Sequence, residues 1–232
     1  MHDEHSGSMR SRHGDEYIER LPGGFLLKQS VRHLRIGSDS VLLAEHAPGG
    51  RVICDLGCGC GAILLRLAEL WPQAELCGLE LQPEAARLCR ESIELNGISE
   101  RASVVIGDLR SRAVLGELGA GRFDLVVCNP PYNRAGSGRR ASTSAAVLER
   151  EDGTAPPEAV AAAARFLLKN RGTLVLVLRA DRMADYICAL RSEHLEPKQI
   201  TVVRTNGALS RLVLLRAVKG AGAGLVLDET YY

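Results

Sequence analysis

The chain has 232 residues, 46% of them hydrophobic, which is enough to bury one sizeable core, and nothing inside it reads as a second domain. Its formal net charge of +1 gives no global basic signal, so any contact with a nucleic acid has to be a local patch. No apolar stretch reaches the length of a membrane span, and the opening Met1–Met9 is polar and carries Asp3 and Glu4, unlike a secretory leader. Residues 1–15 read as a disordered tail and 16–232 as a single domain, with a cytoplasmic location expected and no membrane partner. Seven cysteines, odd in number and mostly in apolar segments (Cys54, Cys77, Cys89, Cys128, Cys188), fit buried thiols in a reducing compartment better than disulfides.

The first strong element is the run Val52-Ile53-Cys54-Asp55-Leu56, a predicted strand that enters the turn Gly57-Cys58-Gly59-Cys60-Gly61-Ala62. Ile63, Leu64, Leu65, Leu67, Ala68, Leu70 and Trp71 then fall at helical spacing, and Pro72 ends the segment. Glycines admit positive φ and bring backbone N–H groups against a ligand, while the start of a helix adds partial positive charge. Gly57, Gly59 and Ala62 also satisfy the dinucleotide pattern, so the turn alone does not separate NAD from another nucleotide-like cofactor. Cys58 and Cys60 form a lone C-x-C without a second ligand pair, and no metal site is expected from them.

A second strand, Glu75–Glu80, ends in a carboxylate roughly twenty residues beyond the first glycines, where an acid can accept from a ribose diol. Ala85, Leu88, Cys89, Ser92 and Leu95 follow Pro83 at helical spacing up to an Asn96-Gly97 stop. A third strand, Ser103–Ile106, leads to Gly107-Asp108, whose carboxylate can accept from an adenine amino group outside the strand ends. Taken singly, either acid is equally well a solvated carboxylate or a helix cap. The regular strand–acid spacing favours ligands.

A fourth strand, Phe123–Cys128, runs into Asn129-Pro130-Pro131-Tyr132. The prolines lack N–H groups and stiffen the loop, leaving carbonyls free to accept; Asn129 adds a side-chain acceptor and Tyr132 an aromatic face. Alone, this is an ordinary Asn-Pro turn with a packing tyrosine; beside the glycine turn it suits a planar amino group on adenine, guanine or a carboxamide. Residues 133–155 lose periodicity and form an expected lid, in which Arg134, Arg139 and Arg140 lie within seven positions and can grip phosphates. Arginine is abundant throughout, since lysine occurs only at 28, 169, 198 and 219, so the lid is equally readable as a solvated loop. Other candidates for a local basic patch are Arg32, Arg35, Arg179 and Arg204.

Pro156-Pro157 opens a helix containing Val160, Ala163, Ala164 and Leu167; Thr173–Leu178 is a buried strand; Asp181 is placed to cap a helix over 183–190. Strands near 199–204 and 211–217 flank Asn206-Gly207, a hairpin signal. Strands alternating with helices predict an α/β fold, a doubly wound and mostly parallel sheet with a terminal antiparallel hairpin.

These residues together resemble the class I S-adenosylmethionine-dependent methyltransferases, in their small-domain branch with an Asn-Pro-Pro-Tyr motif. The match is best to bacterial tRNA adenine-N6 methyltransferases that act on an anticodon-loop adenine of a valine tRNA. It runs from about Tyr17 to the C-terminus, taking in Gln29, Asp39 within Ile36–Ala44, Val218-Lys219-Gly220 and Leu225–Glu229. The resemblance implies a seven-stranded Rossmann-like sheet and S-adenosylmethionine as cofactor. It assigns Asp39, Asp55, Gly57, Gly59, Gly61, Glu80, Asp108 and Asn129 to cofactor binding, and Asn129, Pro130, Pro131 and Tyr132 to catalysis. The implied partner is RNA, a tRNA, with Arg134, Arg139 and Arg140 as its expected contacts and no obligate protein partner.

Related readings are a protein glutamine N5-methyltransferase, expected to carry an N-terminal helical domain, and a ribosomal RNA guanine N2-methyltransferase, expected to carry a duplicated upstream domain. An NAD-binding oxidoreductase would explain the glycine turn and Glu80 but leave Asn129–Tyr132 idle. A catalytically silent cofactor-binding module would leave the intact tetrapeptide unexplained.

Overall fold

The computed structural model describes residues 12–13, 15–31, 38–131, 155–205 and 208–231. Most of the polar tail, Arg32 and Arg35, Tyr132, the expected lid with Arg134, Arg139 and Arg140, and the Asn206-Gly207 turn lie outside these residues.

Strands β1 (Arg12–His13), β2 (Glu16–Arg20) and β3 (Leu26–Ser30) form a small antiparallel sheet. Helix α1 (Ser38–His46) leads to β4 (Val52–Leu56), α2 (Ala62–Leu70), β5 (Glu75–Glu80), α3 (Pro83–Leu95), β6 (Ala102–Ile106), α4 (Arg112–Leu118) and β7 (Phe123–Cys128). The chain continues with α5 (Pro157–Leu167), β8 (Leu168–Arg179), a 3-10 turn over Ala180–Arg182, α6 (Met183–Ser192), β9 (Leu195–Thr205), β10 (Ala208–Lys219) and β11 (Val226–Tyr231).

The main sheet has the order β11-β9-β10-β8-β7-β4-β5-β6. The pairs from β8 to β6 are parallel, β10 is antiparallel to both β8 and β9, and β11 is parallel to β9. The seven expected strands and the hairpin are present, and β11 adds an eighth strand at the edge. Its signal is faint because Val226–Glu229 are exposed, so no periodic burial marks the segment.

Each central strand feeds two cores, as its period of two requires. On β8, Val175 and Val177 face the core built with α1, α2 and α3, while Leu174, Leu176 and Leu178 face the core built with α4, α5 and α6. On β4, Ile53 faces the first core and Cys54 and Leu56 the second. Asp55 therefore lies on the same face as Ile53, toward α2.

Several local expectations are corrected. Cys188 is exposed, because α6 buries Tyr186, Ala189 and Leu190, and a residue two positions from Tyr186 falls on the opposite face. Leu95, Leu70 and Trp71 sit at helix ends, where the core stripe has rotated away, and are partly exposed. Asp181 does not cap α6: the N-cap is Arg182, and Asp181 sits in the preceding 3-10 turn, paired with Arg179 at 2.8 Å.

The small sheet docks on α3 through polar groups arranged around the fully buried Leu27, which joins the core that α3 lines. The Asn96 side chain accepts from the Leu26 N–H at 2.8 Å and donates to the Leu26 carbonyl at 2.7 Å, imitating one step of a β-ladder. Ser92 Oγ accepts from the Lys28 N–H at 2.9 Å, and Lys28 pairs with Glu16 and Glu91. Glu69 accepts from the Phe25 N–H and is held by Arg66. Replacing Asn96 by Ala leaves two partly buried backbone groups unpaired and is expected to cost about 1–3 kcal/mol. Urea unfolding measures this, and hydrogen exchange should report lost protection over residues 26–30 first; unchanged protection there would mean the sheet docks without Asn96.

Candidate active site

The C-terminal ends of β7, β4, β5 and β6 stand side by side. The pairings Asp55↔Val127, Leu56↔Leu79 and Glu80↔Ile106 fix their levels. Continued past the strand ends, these registers put Asn129, Gly57, Glu80 and Ile106 in one row, with Asp108 just beyond. From Asn129 to the strand that carries Asp108 is three inter-strand steps, about 14 Å.

The turn after β4 is open to a ligand. Gly57, Gly59 and Gly61 all have positive φ, at 76°, 54° and 96°. Among the described residues, a Cβ on Gly57 or Gly59 would meet nothing within 4 Å, so their backbone faces space that no described residue fills. Gly61 serves packing instead, since a Cβ there would come within 2.5 Å of Cys89 Sγ on α3. The turn is tied to β5: the Gly57 and Cys58 N–H groups donate to the Leu79 carbonyl at 2.8 and 3.1 Å. Cys58 is buried against β5, where a Cβ on Gly78 would collide with its Sγ at 2.5 Å. The Cys89 thiol beside it and burial push its pKa well above the ordinary value, and burial pushes Cys60 up to about 12. Both remain neutral thiols that fill space in the turn.

Glu80 is 8% exposed. Its Oε2 accepts from the Gly59 N–H at 2.8 Å and its Oε1 from the Gln82 N–H at 2.9 Å. A carboxylate has about four acceptor positions, so two remain for hydroxyls of a ligand. Asp55 is 1% exposed, and among the described residues neither carboxylate oxygen has a hydrogen-bond partner. Burial, with the nearby Glu80 charge as the smaller cause, pushes its pKa up to about 8. The Leu64 N–H opposes this weakly from outside ordinary hydrogen-bond geometry.

Asp108 presents a different surface. Its carboxylate is gripped by Arg110, whose side chain holds its pKa below the ordinary value. Asn129 is half-buried, Pro130 buried and Pro131 exposed at the end of β7. Asp39 lies in the first turn of α1, and Gln29, buried on β3, donates to Glu19. Arg179 and Arg204 are engaged in exposed ion pairs with Asp181 and Glu229.

A family model described as "Methyltransferase small domain" matches residues 29–201, and the chain belongs to that family. It is 33% identical over 187 residues to a Porphyromonas gingivalis protein named tRNA1(Val) (adenine(37)-N6)-methyltransferase, covering 78% of this chain and 72% of that one. A Yersinia pestis protein of the same name is 36% identical over 129 residues, with 50% of this chain and 51% of that one covered. Among solved structures, an Agrobacterium tumefaciens protein described as a predicted O-methyltransferase superposes with a TM-score of 0.67 at 27% identity, covering 83% and 86% of the two chains. TrmN from Thermus thermophilus shares the fold at a TM-score of 0.54 and 20% identity, over 78% of this chain and 47% of that one. The protein is thus a methyltransferase of class I fold that uses S-adenosylmethionine, and the NAD alternative left open by the glycine turn falls away.

The residues fit that cofactor. S-adenosylmethionine carries an ammonium and a sulfonium, and the buried Asp55 carboxyl beside Glu80, protonated in the free protein, is a group that a nearby positive charge would help to ionise. The glycine backbone, facing space that no described residue fills, suits the methionine arm, and the two unused acceptor positions on Glu80 suit a ribose diol.

Two predictions come from these carboxyls. The folded protein holds a proton on Asp55 that the unfolded chain releases near 3.8, so this group's contribution to stability declines as pH rises from about 4 to about 8 and is level above that. Asp55→Asn should flatten the decline; urea unfolding at pH 5 and pH 8 measures it, and an equal decline in the mutant would assign the slope elsewhere. Glu80→Ala should weaken S-adenosylhomocysteine binding by about 1.5–3 kcal/mol, the range for charge-assisted hydrogen bonds. Calorimetry giving an unchanged dissociation constant would make Glu80 only a brace for the turn.

Proposed function

We propose that the chain transfers the methyl group of S-adenosylmethionine to the exocyclic N6 amine of an adenine in RNA, in the anticodon loop of a tRNA. The observation that carries this reading is the place of Asn129, at the end of β7 in the same row as Gly57 and Glu80. The names of the Porphyromonas and Yersinia relatives support the choice of adenine and tRNA.

The cofactor supplies a methyl group already activated on a positively charged sulfur. An exocyclic adenine amine is a poor nucleophile because its lone pair is delocalised into the ring. The Asn129 side-chain oxygen and the Pro130 carbonyl accept its two N–H bonds and favour a pyramidal nitrogen whose lone pair points at the methyl carbon. Pro130 is buried and lacks an N–H, which stiffens the position of its carbonyl. With the cofactor bound, the amine nitrogen would take the methyl group as its bond to sulfur breaks, the bonding pair staying with the sulfur, and the amine would release a proton to solvent. Positioning supplies most of the rate. Tyr132 stacks on the base once it is out of its helix, and Arg134, Arg139 and Arg140 hold phosphates. A cytoplasmic location accords with a tRNA substrate.

Tritiated methyl transfer onto unmodified tRNA, compared with protein and ribosomal RNA from the same cells, tests the substrate. Label in N6-methyladenosine of tRNA is expected; label in glutamine, in guanine N2 or on a ribose oxygen would replace this reading with that acceptor. Asn129→Ala should leave S-adenosylhomocysteine binding nearly unchanged and cut turnover by about two to four orders of magnitude, as for a group engaged mainly in the transition state. Undiminished turnover would remove Asn129 from the mechanism.

A further inference from the structure

The two acids proposed for the nucleoside are not in the same state. Glu80 binds two backbone N–H groups and keeps acceptor positions free, whereas Asp108 is saturated by one neighbour. Its Oδ1 accepts from the Arg110 N–H at 2.8 Å and from Nε at 2.9 Å, and its Oδ2 accepts from Nε at 2.8 Å and from Nη2 at 2.6 Å. Three N–H groups make these four contacts, the Nε–H being shared between both oxygens, and each oxygen thus has two donors on its roughly two acceptor positions. An adenine amino group is a donor, so it finds no vacancy on Asp108 while the guanidinium stays in place.

We propose that Arg110 is a latch on the adenine end of the cofactor site: its guanidinium occupies Asp108 in the free protein and must give up at least one contact for the 6-amino group of adenine to be read. The inference rests on the assignment of Asp108 as the adenine-binding acid. The latch is cheap to open, because the Arg110 side chain is 54% exposed and the Asp108 side chain 30% exposed, and a solvated ion pair contributes little net free energy. The backbone N–H of Arg110 remains on Oδ1 after release and keeps the carboxylate oriented. The neighbouring turn is fixed independently: the Gly107 N–H donates to the Glu80 carbonyl at 2.9 Å and the Ser111 N–H to the Asp108 carbonyl at 2.9 Å. Only the guanidinium has to move. Releasing it also leaves a planar cation beside the place where the purine lies, so the latch discriminates among nucleosides: a ligand without a donor at position 6 gains nothing by displacing it.

Titration calorimetry of the full chain with S-adenosylhomocysteine and with its purine analogue lacking the 6-amino group tests this in the parent, Arg110→Ala, Asp108→Ala and the double mutant. Arg110→Ala is expected to bind S-adenosylhomocysteine about two- to five-fold more tightly than the parent, the scale of an exposed ion pair. The same substitution should do nothing in the Asp108→Ala background or for the deamino analogue. High ionic strength should tighten binding in the parent and not in Arg110→Ala, since it screens the competing pair. Weaker binding by Arg110→Ala, or an equal gain with Asp108 removed, would overturn the latch while leaving Asp108 as the adenine acid. If Asp108→Ala binds both ligands as the parent does, the assignment of Asp108 fails, and the latch fails with it. Thermal unfolding of each variant establishes that it is folded, and Asp108, whose side chain among the described residues bonds only to Arg110, is not needed to hold the core.

Discussion

The candidate site depends on four parallel strands ending at one level. Parallel pairing of β7, β4, β5 and β6 aligns residues that are far apart in sequence, Asn129, Gly57, Glu80 and Asp108, along a single edge. The alignment is enforced at the opposite end of the sheet as well. Asp124, at the start of β7, accepts from the Arg51 and Val52 N–H groups at 3.0 Å each, and Lys169 at the start of β8 pairs with its other oxygen at 2.7 Å. A one-residue slip there would turn Ile53 and Asp55 to the wrong core and displace the glycine turn from the row.

Within that frame the site brings two acids together and provides few donors to satisfy them. Asp55 and Glu80 lie on neighbouring strands and on the same face, nearly excluded from water. The protein manages this by different means for each: Glu80 is stabilised by two N–H groups of the turns, while Asp55 holds a proton. A cofactor that carries permanent positive charge suits such a pocket, and a nicotinamide dinucleotide with its anionic pyrophosphate does not.

The small N-terminal sheet covers α3 with side-chain hydrogen bonds and ion pairs around Asn96, Ser92, Arg87 and Lys28. Since α3 also carries Cys89, against which Gly61 packs, this cover bears indirectly on the glycine turn. Polar docking of this kind needs correct partners at each contact, because an orphaned backbone group costs more than the bond contributes.

The amino-acid sequence by itself determined the central fold and the list of candidate groups. Val52–Leu56, Glu75–Glu80 and Phe123–Cys128 are apolar runs that can only be buried strands, each followed by a turn signal, and the resemblance carried by Gly57–Gly61, Glu80, Asp108 and Asn129 led to the family. It left β1 to β3, α1, α4 and β11 unread. Apart from α1, which buries Leu42, Leu43 and Ala44 and was marked only by the resemblance over Ile36–Ala44, these elements are short or exposed, so no local period of apolar residues marks them. Only the tertiary structure decided the states of the acids. Asp55, Glu80 and Asp108 look alike as carboxylates near strand ends, yet one is orphaned, one is half-occupied and one is saturated by Arg110. That difference comes from which donors the folded chain brings within hydrogen-bond reach and which it keeps away. Neither a spacing nor a motif encodes those distances.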